Sequence, residues 1–117
     1  MARLGQLVLQ SGRSGDRQLV SQSWIDQAFV EQVNLPVSDG FGAGQGYGYQ
    51  VWTEAGSPPS VAMIGFGGQF VWMVPELDLV VVATSQWSTS GFETSGDQTQ
   101  AVRGIIRDII IPAVGDS

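Results

Sequence analysis

The sequence predicts an α+β domain with an antiparallel sheet, and three observations support this fold class. Apolar residues recur at helical spacing near the start of the chain, and they do so again near its end. Short apolar segments separated by turn residues fill the middle. Helices, then strands, then a helix is the order expected of an α+β domain. With 117 residues, the chain is long enough for one such domain at most.

The first predicted element is a helix over residues 2–10. Leu4, Leu7 and Val8 fall at positions i, i+3 and i+4, which places them on one helix face. Polar residues and glycines at 11–16 follow, so we expect the chain to turn there.

A second helix is predicted over residues 21–33. Ser21 or Ser23 supplies a hydroxyl oxygen that can cap its first turn. Trp24 and Ala28 are predicted to lie on its inner face. An Asn-Leu-Pro sequence then ends the helix, because proline disfavours a helical residue before it.

Four strands are predicted in the middle of the chain, at residues 49–53, 60–64, 69–74 and 79–84. They follow a glycine-rich stretch that we interpret as a loop. Pro75 to Asp78 separates the last two strands and is predicted to form a hairpin turn.

The closing helix is predicted over residues 97–111, with Asp97 as its cap and Pro112 just beyond its end. Its apolar residues follow the helical period over two turns, at Val102, Ile105, Ile106, Ile109 and Ile110.

The composition excludes several kinds of chemistry for this chain. It has no Cys and no His, and all five of its basic residues are Arg. A Ser-His-Asp triad, a thiolate nucleophile, a His- or Cys-bound metal and a Schiff-base lysine are therefore excluded. A net charge of -6 disfavours nucleic-acid binding, which needs a basic surface. We predict no cofactor, and no apolar run is long enough to span a membrane.

Four segments in sequence resemble one family. They read MARLGQLVL at residues 1–9, YGYQVW at 47–52, GFGGQF at 65–70 and VPELDLVVV at 74–82. Together they resemble the C-terminal portion of the β-lactamase-related serine hydrolases. This family includes class C β-lactamases, D-Ala-D-Ala carboxypeptidases, esterases and 6-aminohexanoate-dimer hydrolases. The resemblance implies the C-terminal part of a β-lactamase/transpeptidase-like fold, with antiparallel strands flanked by helices.

The resemblance also implies an acyl-enzyme mechanism whose main groups lie elsewhere. In this family the nucleophile belongs to a Ser-x-x-Lys motif, and a Tyr-x-Asn tyrosine acts as base and acid. Both motifs precede the region matched here. Neither is present, because the chain has no Lys and its single Asn, Asn34, follows Val33. We therefore predict no catalytic residue and no metal ligand in this chain, and no activity of the chain alone.

A third motif of the family, on the strand beside the nucleophile, can be placed on this sequence. Counting back from Pro75 puts the motif on Met63, Ile64 and Gly65, and the N–H of Phe66 then contributes to the oxyanion hole. The family has Lys or His at the first motif position, where it holds a substrate carboxylate. Met63 cannot do this, so an ester or amide without that carboxylate is favoured over a β-lactam.

The run Gly65, Phe66, Gly67 and Gly68 is accordingly predicted to form the oxyanion and substrate-binding segment. Glycines allow a backbone to approach a ligand closely, at a cost in strand stability. The structural alternative is a bulge or a tight contact between strands.

A carbohydrate cleft with two carboxylates is a weaker alternative, because aromatic residues at alternating strand positions are more often part of a core. Its residues would be Trp52, Trp72, Trp87, Phe92, Glu54 and Glu93.

Met1 matches a position inside a family helix, so we expect this chain to be the last part of a longer hydrolase, as a truncated frame or gene fragment. The substrate of that parent is expected to be a small ester or amide. One sheet edge would then lack its partner strand, which favours a homodimer or larger oligomer. A non-catalytic binding module and a structural remnant are the competing interpretations. The sequence leaves the compartment open.

Overall fold

The fold is α+β, as the sequence predicts. The computed structural model describes residues 1–34, 45–54, 56–86 and 94–116. The helices are α1 (Ala2–Leu9), α2 (Gln22–Ala28), α3 (Ser95–Ile105) and α4 (Ile111–Gly115). The strands are β1 (Arg13–Ser14), β2 (Arg17–Gln18), β3 (Val33–Asn34), β4 (Gln45–Tyr47), β5 (Trp52–Glu54), β6 (Ser60–Gly65), β7 (Gln69–Val74) and β8 (Leu79–Ala83).

The main sheet has six strands in the order β3-β4-β5-β6-β7-β8, and each is antiparallel to its neighbours. At the β8 end of this order Met63 of β6 pairs with Val71 of β7, which pairs with Val82 of β8. The short strands β1 and β2 form a separate hairpin. A 3-10 turn at Pro75–Leu77 connects β7 to β8, and Asp78 adopts φ 48° to complete it.

Helices cover both faces of the sheet. On one face the side chains of Phe70, Trp72 and Val74 pack against Ile106 and Ile111 at the C-terminal helices. On the other face α1 crosses β7 and β8. It comes so close that a Cβ at Gly5 would lie 2.6 Å from Val80 Cγ1, so this crossing needs a glycine.

Helix α2 ends at Ala28, and the predicted range of 21–33 is corrected. The residues after the helix join the sheet, because Gln32 donates its N–H to the carbonyl of Tyr47 at 2.9 Å and Val33 pairs with Tyr47. Tyr49 also donates its N–H to the carbonyl of Ala28, at 2.9 Å. Pairing with a distant strand has therefore overridden the local helical pattern.

The inner face predicted for α2 is also corrected at one position. Trp24 is 53% exposed and lies against Tyr49, with the ring centroids 5.7 Å apart, while Ala28 is buried. Ser21 is the N-cap, and its hydroxyl accepts from the N–H of Trp24 at 3.3 Å.

The segment predicted as one strand at residues 49–53 is a hairpin turn followed by β5. Gly48 donates its N–H to the carbonyl of Val51 at 2.8 Å, and Gln50 has φ 66°. A non-glycine residue in the left-handed region carries no clear sequence signal, so the turn was missed.

The closing helix begins earlier and ends later than predicted. Thr94 is its N-cap, and Asp97 is the N3 residue of a capping box rather than the cap. The helix widens to a π-helical segment at Ile106–Ile110 and continues through Pro112 in the first turn of α4. Pro112 has no N–H to donate, and it lies just after the π-helical segment, where the regular i to i−4 hydrogen bonds are already interrupted. Of the predicted apolar stripe, Ile105 and Ile109 are exposed.

Candidate functional site

The glycine-rich segment forms the turn between β6 and β7. Gly65 pairs with Gln69, and the three residues between them reverse the chain. Gly67 has φ 77° and Gly68 has φ 87°, which is a backbone conformation that residues with a Cβ rarely adopt. A Cβ at Gly68 would also lie 3.0 Å from the hydroxyl oxygen of Ser85. The turn therefore requires glycine at these two positions.

A cavity of about 440 Å³ opens beside the end of this hairpin. It lies on the α1 side of the sheet, because Met1 closes one wall and the cross-strand row of Met63, Val71 and Val82 forms its floor. The lining is almost entirely apolar and includes no charged side chain. It consists of Met1, Met63, Ile64, Gly65, Gln69, Phe70, Val71, Val82, Ala83 and Thr84.

Of the six predicted site residues, three line this cavity and three do not. Met63, Ile64 and Gly65 line it. Phe66 lies at the tip of the turn with 73% of its surface exposed. Gly67 and Gly68 are buried on the α3 side of the sheet. The hydroxyl of Ser85 donates to Gly67 O there and lies 3.1 Å from Gly68 O.

Three polar side chains from three different elements hold the turn. The Ser85 hydroxyl, just after β8, donates to Gly67 O and lies 3.1 Å from Gly68 O. The amide of Gln98 on α3 donates to Gly67 O at 2.7 Å and to Gln86 O at 3.2 Å. Gln69 accepts from the N–H of Ser85 at 3.1 Å and donates back to Ser85 O.

Sequence reasoning missed this network, although one signal points to it. Gln98 lies one turn before Val102, on the face of the closing helix that meets the sheet, and it is 6% exposed. A polar side chain on the apolar face of a helix must find partners there, because an unpaired buried amide is costly.

Glu54, one of the two carboxylates of the alternative carbohydrate cleft, forms an ion pair with Arg103. Glu54 accepts from Arg103 Nη2 at 2.7 Å and from Arg103 Nε at 3.1 Å, and both side chains are almost fully buried. The Gln45 amide also donates to Glu54. The ion pair links α3 to β5. It lies near Ser60, at the first residue of β6, whereas Gly65 is the last residue of that strand. The second carboxylate, Glu93, and the aromatic residues Trp87 and Phe92 lie outside the described residues.

A second ion pair lies on the surface of the closing helix. Arg107 Nε and Nη2 donate to the two carboxylate oxygens of Asp108 at 2.7 and 2.9 Å. The hydrogen bond from Arg107 lowers the pKa of Asp108, and the same bond raises the pKa of Arg107.

Across residues 1–34, 45–54, 56–86 and 94–116, no three acidic, His or Cys side chains come together as metal ligands. Nor does any helix within these ranges have the length and apolar character needed to cross a membrane.

The antiparallel sheet with helices on both faces defines an α+β class of domain. The Beta-lactamase family model matches residues 1–104, and the chain belongs to this family. The chain is also 30% identical over 91 residues to the 6-aminohexanoate-dimer hydrolase of Paenarthrobacter ureafaciens. That alignment covers 74% of this chain and 23% of the relative, so the chain spans about a quarter of the length of this curated protein.

Proposed function

We propose that this chain supplies the substrate-side hairpin and closing helix of a serine hydrolase that acts through an acyl-enzyme, and that it is catalytically incomplete alone. The observation that carries the proposal is the Gly65–Gly68 turn beside an apolar cavity in a member of the Beta-lactamase family. The chain contains no Lys for a Ser-x-x-Lys pair. The nucleophile and base would therefore come from another segment.

The reaction would proceed in two steps. A serine oxygen bonds to the substrate carbonyl carbon, and the alcohol or amine leaves with a proton. Water then attacks the acyl-enzyme carbonyl and releases the acid and the serine. In both steps the carbonyl oxygen becomes an oxyanion, and the backbone N–H of Phe66 is the donor that we assign to it.

The cavity supports a substrate with a neutral, apolar acyl group. Met63 and Ile64 contribute hydrocarbon and thioether surface at the third-motif position, and none of the lining side chains carries a charge. A substrate carboxylate would lose hydration there without gaining an ion pair to any lining side chain, which is unfavourable. An uncharged ester or amide therefore fits this surface better than a β-lactam carboxylate does.

The first test uses the 117-residue chain as it exists. Purified chain is incubated with p-nitrophenyl acetate, with a chromogenic cephalosporin and with a fluorophosphonate probe. We expect no turnover and no labelled serine. Labelling of a serine together with turnover would refute the incompleteness of this chain.

The second test supplies the other segment. This chain replaces the corresponding C-terminal segment of the 6-aminohexanoate-dimer hydrolase, and ester hydrolysis and serine labelling of the chimera are measured. We expect both activities. Gly65→Val should abolish them, because a Cβ at Gly65 already lies 3.1 Å from Gln69 Cβ. Gly56→Ala is the matched control, since its Cβ meets nothing closer than 3.6 Å. A folded but inactive chimera would refute the proposal.

We also propose that the chain forms a homodimer through β8. Within the described residues β8 pairs with β7 alone, and its sequence Leu-Val-Val-Val-Ala has neither a charge nor a proline to prevent further pairing. Sedimentation velocity should show a dimer whose fraction rises with protein concentration. A monomeric wild-type chain at high concentration would contradict this.

A further inference from the structure

We infer that Gln98 and Ser85 are positioning residues for the oxyanion turn, and that they act by binding its carbonyl groups on the α3 side of the sheet. The inference rests on the proposed function and deepens it. It also assigns a role to the closing helix, which contributes no residue to the cavity lining.

The carbonyl of Gly67 in this turn is held by two side chains. Gly67 O receives Gln98 Nε2 at 2.7 Å together with the Ser85 hydroxyl, and Gly68 O lies 3.1 Å from the same hydroxyl. Gln98 Nε2 lies a further 3.1 Å from Ser85 Oγ. Gly67 O is thus held by two side chains, one on α3 and one just after β8.

The bound carbonyl of Gly67 also fixes the direction of the next backbone N–H group. The peptide between Gly67 and Gly68 is trans. In a trans peptide the C=O and N–H point in opposite directions. Because Gly67 O is bound by Gln98 on the α3 side, the N–H of Gly68 points away from α3. This anchored peptide lies two peptide units after the one that carries the assigned donor, the N–H of Phe66, so it limits how far the turn that holds this donor can rotate.

The glycines of this turn do not fix its conformation, so side chains from elsewhere in the fold must do so. Two successive glycines allow many backbone conformations, and either carbonyl could rotate at little steric cost. An oxyanion donor contributes to catalysis when it is oriented before the reaction begins. The buried amide of Gln98 and the Ser85 hydroxyl supply this orientation, and Gln69 in turn holds the Ser85 backbone.

The test compares Gln98→Leu and Ser85→Ala with a control on the same helix. Thr99→Val is that control, because Thr99 is 3% exposed and its hydroxyl bonds within the helix, to Ser95 O at 2.8 Å. All variants are made in the 117-residue chain and in the chimera described above.

In the chain, 15N shifts and heteronuclear NOEs of Phe66, Gly67 and Gly68 are recorded by NMR. Gln98→Leu and Ser85→Ala should move these signals and lower the NOEs, because a turn whose carbonyls are released becomes more mobile on the ps–ns timescale, while Thr99→Val should leave the turn unchanged. Turn amides that are unaffected by Gln98→Leu, or equally affected by Thr99→Val, would overturn the inference.

In the chimera, kcat and KM for an ester substrate are measured separately. Loss of positioning should lower kcat by roughly tenfold to a hundredfold with KM changed less than about twofold. Lower kcat with Thr99→Val as well would indicate a merely structural role and overturn the inference. A wild-type chimera without activity would refute the proposed function and the catalytic role of the turn, while the NMR comparison would still decide whether Gln98 and Ser85 hold it.

Discussion

Replacing Arg103 with methionine is expected to destabilise the chain strongly. Arg103 and Glu54 are 11% and 9% exposed, and two hydrogen bonds of 2.7 and 3.1 Å join them. Without the guanidinium, the carboxylate stays buried with the Gln45 amide as its remaining described donor. A buried charge that has lost its ionic partner is far more costly than an exposed one, because water cannot replace the lost interaction.

The expected loss follows from this burial. Removing one partner of a buried ion pair costs about 3–5 kcal/mol. The free energy of unfolding of a small domain is about 5–15 kcal/mol, so Arg103→Met should remove about a fifth of it or more. At about 4 °C per kcal/mol for a domain of this size, the Tm should fall by about 12–20 °C.

Urea unfolding followed by tryptophan fluorescence measures this loss. Two further variants make the result specific. The double variant Glu54→Leu/Arg103→Met removes both charges and should be more stable than Arg103→Met alone. Arg107→Met removes the cation of the exposed pair with Asp108, whose side chains are 53% and 57% exposed, and should leave the urea midpoint unchanged within error. An Arg103→Met midpoint within error of wild type, or a double variant no more stable than the single one, would refute the reasoning.

Two more predictions follow from the backbone and from the surface pair. Gly12→Ala should unfold at markedly lower urea, because Gly12 has φ 85° and a Cβ there would lie 2.0 Å from Val20 O; a wild-type midpoint would contradict this. The pKa of Asp108 is lowered in the folded chain, so the pair's contribution to stability, which is too small to move the urea midpoint, is present above the unfolded-state pKa and is lost as the pH falls through the folded pKa. An NMR titration of the Asp108 carboxyl should show this lowered pKa, and Arg107→Gln should raise it; an unchanged titration would show that Arg107 is not the cause.

The fold class and the strongest strands could be predicted because their signals are local. The β-branched run in β8 and the proline-led turn before it are contiguous in sequence, and each favours one structure. The capping box of the closing helix is similarly local, although the role of Asp97 within it was assigned to the wrong position.

The parts that could not be predicted depend on residues far apart in the sequence. The end of α2 is set by pairing with β4, across a segment that no local pattern connects to it. The Glu54–Arg103 pair spans 49 positions, and the contact of Gln98 with Gly67 spans 31. Helical periodicity predicts which face of α3 is buried, but it does not identify the partner of a polar side chain on that face.

The order of strands in the main sheet has a consequence for how the chain folds. From β3 to β8 each strand pairs with the next one along the chain, so no pairing has to wait for a distant segment. Low contact order of this kind favours rapid folding. During synthesis, each strand can pair as soon as its successor has left the ribosome. When the full chain refolds, we expect β6 and β7 to pair fastest, because they are six residues each and a three-residue turn joins them.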